Sequence, residues 1–191
     1  TYIDSLRSIN GYNPCKSFIN QIELKTLLTK KHNFSINITN SNAFSRGLNY
    51  SNAISINRVS LTGAYIYKHK DWSQLLNIRV LADKNFLTPL TFSYGLNKKV
   101  NNNSLYFNVG KVYRLPSIND LYWNPGGNEK LLPEDGYSSD IGFKWKKEIH
   151  NKTLSFSPSL YSRWINNWIQ WNPSGNIWSA MNVKKVWSRG I

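Results

Sequence analysis

The sequence predicts an all-β protein, specifically an antiparallel, up-and-down transmembrane β-barrel. Two observations carry this prediction: apolar residues recur at every second position through most of the chain, and short links between segments alternate with long ones. A third observation, the polar character of the opposite strand face, favours a membrane barrel over a domain with a packed core.

The two-residue period predicts eight strands, with weaker ones towards either end of the chain. One face of each strand carries aliphatic or aromatic residues, and the other carries mostly Ser, Thr, Asn, Gly or a charge. Successive side chains of a strand point to opposite faces, so this alternation indicates one apolar and one polar surface. The eight segments lie at 18–28, 34–39, 59–68, 72–83, 90–97, 105–110, 140–146 and 154–164.

The links between these segments alternate in length, apart from the link at 83–87. The short links lie near 30–33, 68–71, 98–103 and 148–152. The long links span about 45–57, 113–137 and 165–182. Tight turns on one side and long loops on the other are typical of outer-membrane barrels.

The apolar strand faces are predicted to face lipid, since residues of the opposite parity are too polar for hydrocarbon. These positions are the even residues of 34–38, 72–82 and 90–96 and the odd residues of 105–109 and 141–145. Lys111 falls on the same face, so either its strand bulges or the lysine snorkels to a membrane surface. If the apolar side chains packed between two sheets, the domain would instead be a soluble sandwich.

The charge is strongly basic, because 24 Lys and Arg face 10 Asp and Glu for a net charge of +14. Basic strands with interleaved aromatics also suit a soluble nucleic-acid binder, which is one alternative function. Many lysines, however, fall in the predicted short turns, where they would form a ring that anionic headgroups can neutralise. We therefore expect outer-membrane lipid, and no nucleic acid, as a partner. These lysines are Lys30, Lys31, Lys68, Lys70, Lys98, Lys99, Lys146 and Lys147.

Metal, cofactor and enzyme chemistry find little support. Cys15 is the only cysteine, and His32, His69 and His150 are far apart in the sequence. No nucleophile elbow, phosphate loop or metal-ligand spacing is present, so we expect no enzyme activity, no metal and no cofactor. No apolar run reaches the 18 residues that a membrane helix needs, which leaves a membrane β-barrel open.

The long link after the sixth predicted strand is chemically dense, and its composition predicts a defined shape. Pro116, Pro125 and Pro133 restrict the backbone, while Gly126-Gly127 and Asn128 permit positive φ. The residues expected to structure the loop are Arg114, Pro116, Asp120, Pro133 and Glu134. Arg114, Asp120 and Glu134 would pin it to the barrel wall through hydrogen bonds and ion pairs.

The candidate ligand-binding residues lie near the apex of this loop and in the next long link. In the loop they are Tyr122, Trp123, Asn124 and Asn128. In 165–182 they are Trp168 and Trp171, which, like Trp178, either stack on a bulky ligand or anchor the chain at the interface. Trp164 is in register with the lipid face and is predicted to belong to an aromatic girdle.

The stretch YRLPSINDLYWNPGGNEKLLPE (113–134), with YSSDIGFKWKK after it, resembles a segment in the barrel domain of TonB-dependent outer-membrane receptors. In that family a strand ends in Arg-x-Pro, an Asp/Glu-Leu-Tyr follows, and a Gly-Asn…Leu-x-Pro-Glu run leads into the next strand. FLTPLTFSYGLNKKV resembles the preceding strand, and LYSRWINNWIQWNPSGNIWSAMNVKKVWSRGI is similar to the next hairpin and the strand after it. The likeness covers nearly all of 55–191, in the same order.

The resemblance implies a barrel of 22 strands around a globular plug. At roughly ten residues per membrane strand, this sequence supplies about ten strands. We therefore expect residues 1–191 to be part of one receptor barrel domain, an open, curved sheet that lacks the plug, the energy-coupling segment and the closing strands.

By resemblance, the parent receptor lies in the outer membrane of the cell and imports a scarce, bulky nutrient, a cobalamin or a ferric siderophore. Its expected partners are this small-molecule ligand, the TonB energy-coupling protein through the missing amino-terminal part, and a surface lipoprotein. A passive porin-like channel is the nearest alternative, because an alternating barrel with long loops needs only a polar lumen.

Overall fold

A computed structural model of the chain describes residues 2–4, 9–150 and 152–191, with side chains from residue 12 onwards. No helix in this described part is long and apolar enough to cross a membrane. The strands are β1 (Tyr2–Asp4), β2 (Ile9–Gly11), β3 (Cys15–Leu27), β4 (His32–Ser45), β5 (Ile54–His69), β6 (Trp72–Asp83), β7 (Thr91–Val100), β8 (Asn103–Arg114), β9 (Glu134–Ile149), β10 (Lys152–Phe156), β11 (Ser159–Ser174) and β12 (Ile177–Gly190), and the helix is α1 (Ile118–Tyr122).

Ten of these strands form one antiparallel, up-and-down sheet. Its order is β12-β11-β9-β8-β7-β6-β5-β4-β3, and β10 also pairs with β9. β10 and β11 follow one another along β9, and Ser157-Pro158 separates them, since proline has no N–H to donate to a ladder. Among the described residues β3 and β12 do not pair with each other, so the sheet is open. The predicted fold class is confirmed.

Seven of the predicted segments each lie in one strand of the sheet to within a residue, whereas the segment 154–164 is divided between β10 and β11, and most links have the expected length. Residues 70–71 and 101–102 form tight turns, whereas 46–53 and 115–133 are long connections at the opposite end. We call these the short-turn end and the long-loop end.

The prediction of a long link at 165–182 is wrong. β11 and β12 remain paired from Tyr161↔Gly190 to Ser174↔Ile177, so the segment is an extended hairpin. Asn167 adopts φ of 54°, where the ladder is interrupted, and Gly175 adopts 61° in the turn. Pro173 is tolerated because β11 has no partner on its other side beyond Asn166.

The apolar side chains predicted to face lipid share one surface of the sheet. Directly paired residues lie on the same face, and the register runs Ile38↔Leu61↔Val80 and then Phe107↔Ile141 farther along. Val80 and Ile141 are 47% and 44% exposed, so no second sheet covers them. The sandwich alternative is therefore excluded, and we call this surface the apolar face.

The opposite surface, the polar face, carries small and polar side chains. Its central row pairs Ala64 with Asn77, Asn77 with Ser93, and Gly110 with Ser138. The Asn77 amide donates to the Ser93 hydroxyl at 3.0 Å. The two faces thus differ in polarity across the whole sheet, as the alternation predicts.

Lys111 lies on the apolar face without a bulge, because the β8–β9 register is unbroken from Ser104 to Arg114. Its ammonium lies 3.3 Å from an oxygen of Asp135 and 5.9 Å from the ring centre of Tyr137, the residue paired with it. The bulge alternative is therefore wrong.

The two faces differ in what they should tolerate, and neighbouring residues on β6 allow a matched test. In the complete barrel, Ile78→Lys on the apolar face should destabilise folding by about 2–4 kcal/mol, because a cation would enter hydrocarbon. Asn77→Lys on the polar face should change stability by no more than about 0.5 kcal/mol. Urea titration of the refolded barrel in lipid vesicles measures both values, and equal losses would contradict the assignment of the faces.

Candidate ligand-binding site

A bidentate ion pair joins the two ends of the loop 115–133. Arg114 ends β8, Glu134 begins β9, and the two are direct partners in the ladder. Arg114 Nη2 and Nε donate to the Glu134 carboxylate at 2.6 and 2.8 Å, and Nη1 lies 3.4 Å from Asp120 Oδ2. Planar guanidinium and carboxylate groups bonded in this way fix orientation as well as distance.

Both carboxylates also bind groups outside the pair. Glu134 Oε1 accepts from the backbone N–H of Ile169 on β11 at 2.9 Å. Asp120 Oδ1 accepts from the Trp171 indole N–H at 3.0 Å, and Oδ2 accepts from the Ser117 N–H at 2.9 Å. The Ser117 hydroxyl accepts from the Asp120 N–H in return, which completes a capping box at the start of α1.

Asp120 is buried, with 7% of its surface exposed. Burial alone would raise the pKa of its carboxyl, but hydrogen bonds from Ser117 and Trp171 and the charge of Arg114 outweigh it, so the pKa lies below its ordinary value. The carboxylate is therefore charged at neutral pH and accepts all of these hydrogen bonds.

Residues 126–132 of the loop lie against β12. The Ala180 N–H donates to the Gly126 carbonyl at 2.7 Å, and the Asn128 amide donates to the Ala180 carbonyl at 3.2 Å. Asn182 exchanges two hydrogen bonds with the backbone of Leu132, at 2.9 and 3.0 Å. Of the loop positions expected to permit positive φ, Gly126 adopts it, at 112°, and a Cβ there would collide with the Trp178 carbonyl.

A small hydrophobic core lies between the loop and the β11–β12 hairpin. Its buried members are Leu121, Leu131, Ile169 and Ala180, with Phe86, Tyr122 and Trp171 packed against them. This core packs the loop against the hairpin and adds to the hydrogen bonds and ion pairs that hold it. Pro116 is also buried, and its carbonyl accepts from Arg58 at 3.3 Å, whereas Pro133 is half-buried.

A second loop, 46–53, reaches the apex of the first across four strands of the sheet. Asn49 and Asn124 exchange hydrogen bonds of 2.7 and 3.0 Å. The Tyr50 hydroxyl bonds to Asn119 at 2.5 Å, and its ring meets Trp123 edge-on at 5.9 Å between centres. This partner was not predicted from the sequence, although the Asn-Tyr-Ser-Asn run in the long link 45–57 was a signal.

An open cleft of about 610 Å³ lies between the two loops. Its walls are residues 51–55, 121–124 and 126–130. Four of the six candidate ligand-binding residues line it, namely Tyr122, Trp123, Asn124 and Asn128. Amides, hydroxyls and aromatic rings dominate the lining, and one acid, Glu129, accompanies one base, Lys130. No three His, Cys, Asp or Glu side chains of the described residues come together as a metal site.

The other two candidates lie outside the cleft. Trp171 is half-buried behind it, where it packs against the small core and donates to Asp120. Trp168 is paired with Val183 in the hairpin. Like Trp164, it has an even residue number, so it belongs to the same alternating set of positions along β11. The structure thus brings Trp171 together with the loop-structuring residues and leaves Trp168 apart from the cleft.

An open antiparallel sheet with one apolar face, one polar face and shaped loops at one end is the wall of a membrane β-barrel receptor. Residues 2–191 match the family model described as TonB dependent receptor-like, beta-barrel. The chain belongs to the TonB-dependent receptor-like β-barrel family. These family members are receptors and transporters, not enzymes.

Two curated relatives are vitamin B12 transporters called BtuB. The one from Photobacterium profundum is 28% identical over 136 residues, which is 66% of this chain and 21% of the relative. The one from Vibrio vulnificus is 31% identical over 85 residues, covering 44% of this chain and 13% of the relative. The chain therefore spans about a fifth of the length of the first of these relatives.

Two solved structures have the same fold. The siderophore receptor PirA from Pseudomonas aeruginosa superposes with a TM-score of 0.79 at 12% identity, over 93% of this chain and 36% of PirA. The Serratia marcescens hemophore receptor HasR, solved with its hemophore HasA and heme, gives a TM-score of 0.71 at 13% identity, over 93% of this chain and 39% of HasR.

The contacts of Asp120 predict that its charge keeps the loop docked. Asp120→Asn should raise the rate of proteolysis within 115–133 about tenfold, because a buried charge-assisted acceptor of several donors is lost. Glu129→Gln is the matched control, since it removes a carboxylate of the same loop that forms no ion pair among the described residues.

The same docking should depend on pH in one direction. Because docking lowers the pKa of Asp120, its charge stabilises the docked loop fully at pH values above the ordinary carboxyl pKa of about 3.9. This stabilisation is lost as the pH falls below about 3.9 and through the lowered pKa of the docked state. Proteolysis by an acid-active protease should therefore accelerate more steeply with falling pH in the wild type than in Asp120→Asn, in which Glu134 is the remaining carboxyl of the cluster with a lowered pKa. A parallel rise in both proteins would contradict the role of Asp120.

Proposed function

We propose that this chain forms part of the barrel wall of an outer-membrane active transporter, which captures a scarce, bulky nutrient outside the cell and imports it with energy delivered by TonB. Family membership supports the proposal. So does the grouping of the shaped loops at one end of the sheet, since barrels of this kind carry their long loops outside the cell. The single observation that carries it is the cleft between the two loops.

The chemistry of the cleft favours cobalamin as the nutrient. Hydroxyl and amide groups of Ser51, Asn52 and Asn124 and the rings of Tyr122 and Trp123 offer hydrogen bonds and flat apolar surface. Cobalamin carries neutral amide side chains around a large, flat corrin ring, which these groups complement. The B12 transporters among the relatives support the same ligand.

A ferric siderophore is the second candidate nutrient, supported by the fold shared with a siderophore receptor. Many ferric siderophores are anionic and would be best matched by an excess of cations. In the cleft lining Lys130 is offset by Glu129. Charge therefore favours the neutral ligand.

We further propose that residues 1–191 belong to a single barrel domain of a longer receptor, located in the outer membrane of the cell. The plug, the closing strands and the segment that contacts TonB would lie outside this sequence. Outer-membrane lipid would cover the apolar face, and a surface lipoprotein could assist ligand capture at the long-loop end.

Energy dependence separates active transport from a passive porin-like channel. Cells that express the complete receptor should accumulate labelled cobalamin above the external concentration, and a protonophore that collapses the proton-motive force should abolish the accumulation. Uptake that persists unchanged and only equilibrates with the medium would identify a passive channel.

Trp123 is the ring best placed to stack on a ligand in the cleft. Trp123→Ala should weaken cobalamin binding by the complete receptor about tenfold, the usual loss when a central aromatic contact is truncated. Trp72→Ala is the control, because it removes the same side chain from the apolar face at the short-turn end. Calorimetric titration of the purified proteins compares the two affinities.

Trp171 should act through the loop rather than by touching the ligand. Trp171→Phe keeps an aromatic ring beside the small core but removes the N–H that Asp120 accepts. We expect it to weaken cobalamin binding and to accelerate proteolysis of 115–133 together. Weaker cobalamin binding by Trp171→Phe with an unchanged cleavage rate would instead indicate that Trp171 contacts the ligand directly.

For the other variant, an unchanged cobalamin affinity in Trp123→Ala would show that Trp123 is not part of the binding site.

A further inference from the structure

The apolar face carries an unusual group of cations and aromatic rings towards the long-loop end. One register row across four strands reads Lys111, Tyr137, Trp164 and Trp187. Tyr137, Trp164 and Trp187 are 55%, 45% and 55% exposed, so the rings form an open surface. We call the group consisting of Lys111, Tyr137, Ser162, Trp164, Lys185, Trp187 and Arg189 the cation–aromatic patch.

Two cations of the patch sit over neighbouring tryptophan rings. The Lys185 ammonium lies 5.9 Å from the ring centre of Trp164, and the Arg189 guanidinium carbon lies 4.3 Å from that of Trp187. The two ring centres are 6.0 Å apart. The Trp187 indole N–H donates to the Ser162 hydroxyl at 3.0 Å, which fixes that ring in place.

The charge of this patch is not balanced by ion pairs among the described residues. Lys111 is paired with Asp135, but neither Lys185 nor Arg189 takes part in an ion pair among the described residues. Two unpaired cations on a surface that presents mostly aliphatic and aromatic side chains are costly unless an anion meets them. The missing component is therefore an anion that can approach from the lipid side.

The order of side chains along the strands resembles the layers of a lipid molecule. Lys185 and the rings lie nearest the long-loop end, and Ser139, Ser162 and Arg189 occupy the next row of this face, from which the Arg189 guanidinium lies over Trp187. The row after it is aliphatic and aromatic, with Phe107, Ile141 and Leu160 in register. A phosphate, a polar linker and an acyl chain would meet matching side chains in that order.

We propose that the cation–aromatic patch is a binding site for the phosphate-bearing headgroup of a membrane lipid in the leaflet at the long-loop end. Lys185 and Arg189 bind the phosphate, the tryptophan rings hold the cations at headgroup depth, and the acyl chains run over Leu160, Ile141 and Phe107. The proposal rests on the proposed membrane location of the chain and not on the identity of the transported nutrient.

The test is native mass spectrometry of the complete receptor in detergent, titrated with phosphatidylglycerol and, separately, with diacylglycerol, which lacks the phosphate. Each cation should contribute about fivefold to affinity, so the double variant Lys185→Gln/Arg189→Gln should bind phosphatidylglycerol about twenty-five-fold more weakly. Binding of diacylglycerol should be weak in the wild type and unchanged in the variant.

Lys144→Gln is the matched control. Lys144 also lies over a tyrosine, with its ammonium 5.7 Å from the Tyr106 ring, but the register places it on the polar face opposite Ser104. This variant should bind phosphatidylglycerol like the wild type. A loss of about fivefold, as large as one cation of the patch should contribute, would mean that only net charge matters, and it would overturn the site.

Other outcomes also decide the proposal. Unchanged phosphatidylglycerol binding in the double variant would overturn it, as would equal binding of both lipids by the wild type. If the variant instead lost a dimer or a protein partner while keeping its lipid, the patch would be a protein interface. Cobalamin titration of the same variants keeps the two hypotheses apart, because the lipid site can fail while nutrient binding persists.

Discussion

The bond between Arg114 and Glu134 fixes the geometry of the long-loop end. It joins the last residue of β8 to the first residue of β9, at the two points where the loop 115–133 leaves and rejoins the sheet. Because Glu134 also accepts from the Ile169 backbone, the same carboxylate sets where the β11–β12 hairpin departs from the sheet. The loop, the hairpin and the small core between them all depend on this arrangement.

Buried charge has a cost that this arrangement offsets with hydrogen bonds. Glu134 and Asp120 are 4% and 7% exposed, and besides the guanidinium Glu134 accepts from the Ile169 N–H and Asp120 accepts from the Ser117 N–H and the Trp171 indole. The net gain in stability from such a cluster is small, since desolvation opposes the Coulomb attraction, and Arg114 itself is only partly buried. Its main effect is to select one loop conformation, which gives the cleft a shape before any ligand arrives.

The strands of the sheet could be predicted from the sequence because apolar and polar residues alternate along a membrane strand. With one face in lipid and the other in a polar interior, alternation through segments such as 72–83 is nearly complete, and it correctly identified strands and faces. It failed at 165–182, where the hairpin leaves the sheet. Beyond Asn166 the hairpin no longer pairs with β9, so Asn167 and Pro173 need not follow the strand alternation although the backbone stays paired.

The candidate site was less accessible to sequence reasoning. Local composition indicated that 113–134 has a shape and that Tyr122 to Asn124 lie near its apex. The second wall of the cleft comes from 51–55, and the contact of Asn49 with Asn124 joins residues 75 positions apart. No period or motif encodes such a contact, because it depends on where four intervening strands carry the two loops. The sequence likewise shows that residue 171 is a tryptophan, but it does not show that the Trp171 indole N–H donates to Asp120.

The central claim is that Arg114 and Glu134 act as one unit that holds the loop. Hydrogen exchange of the peptide 121–132 in the complete receptor tests it most directly, since its Asn128 and Leu132 amides donate to Asp120 and Asn182. We expect faster exchange in Arg114→Gln and in Glu134→Gln, and no further increase in the double variant, because either change breaks the same bond. Unchanged exchange in the single variants, or effects that simply add in the double variant, would contradict it.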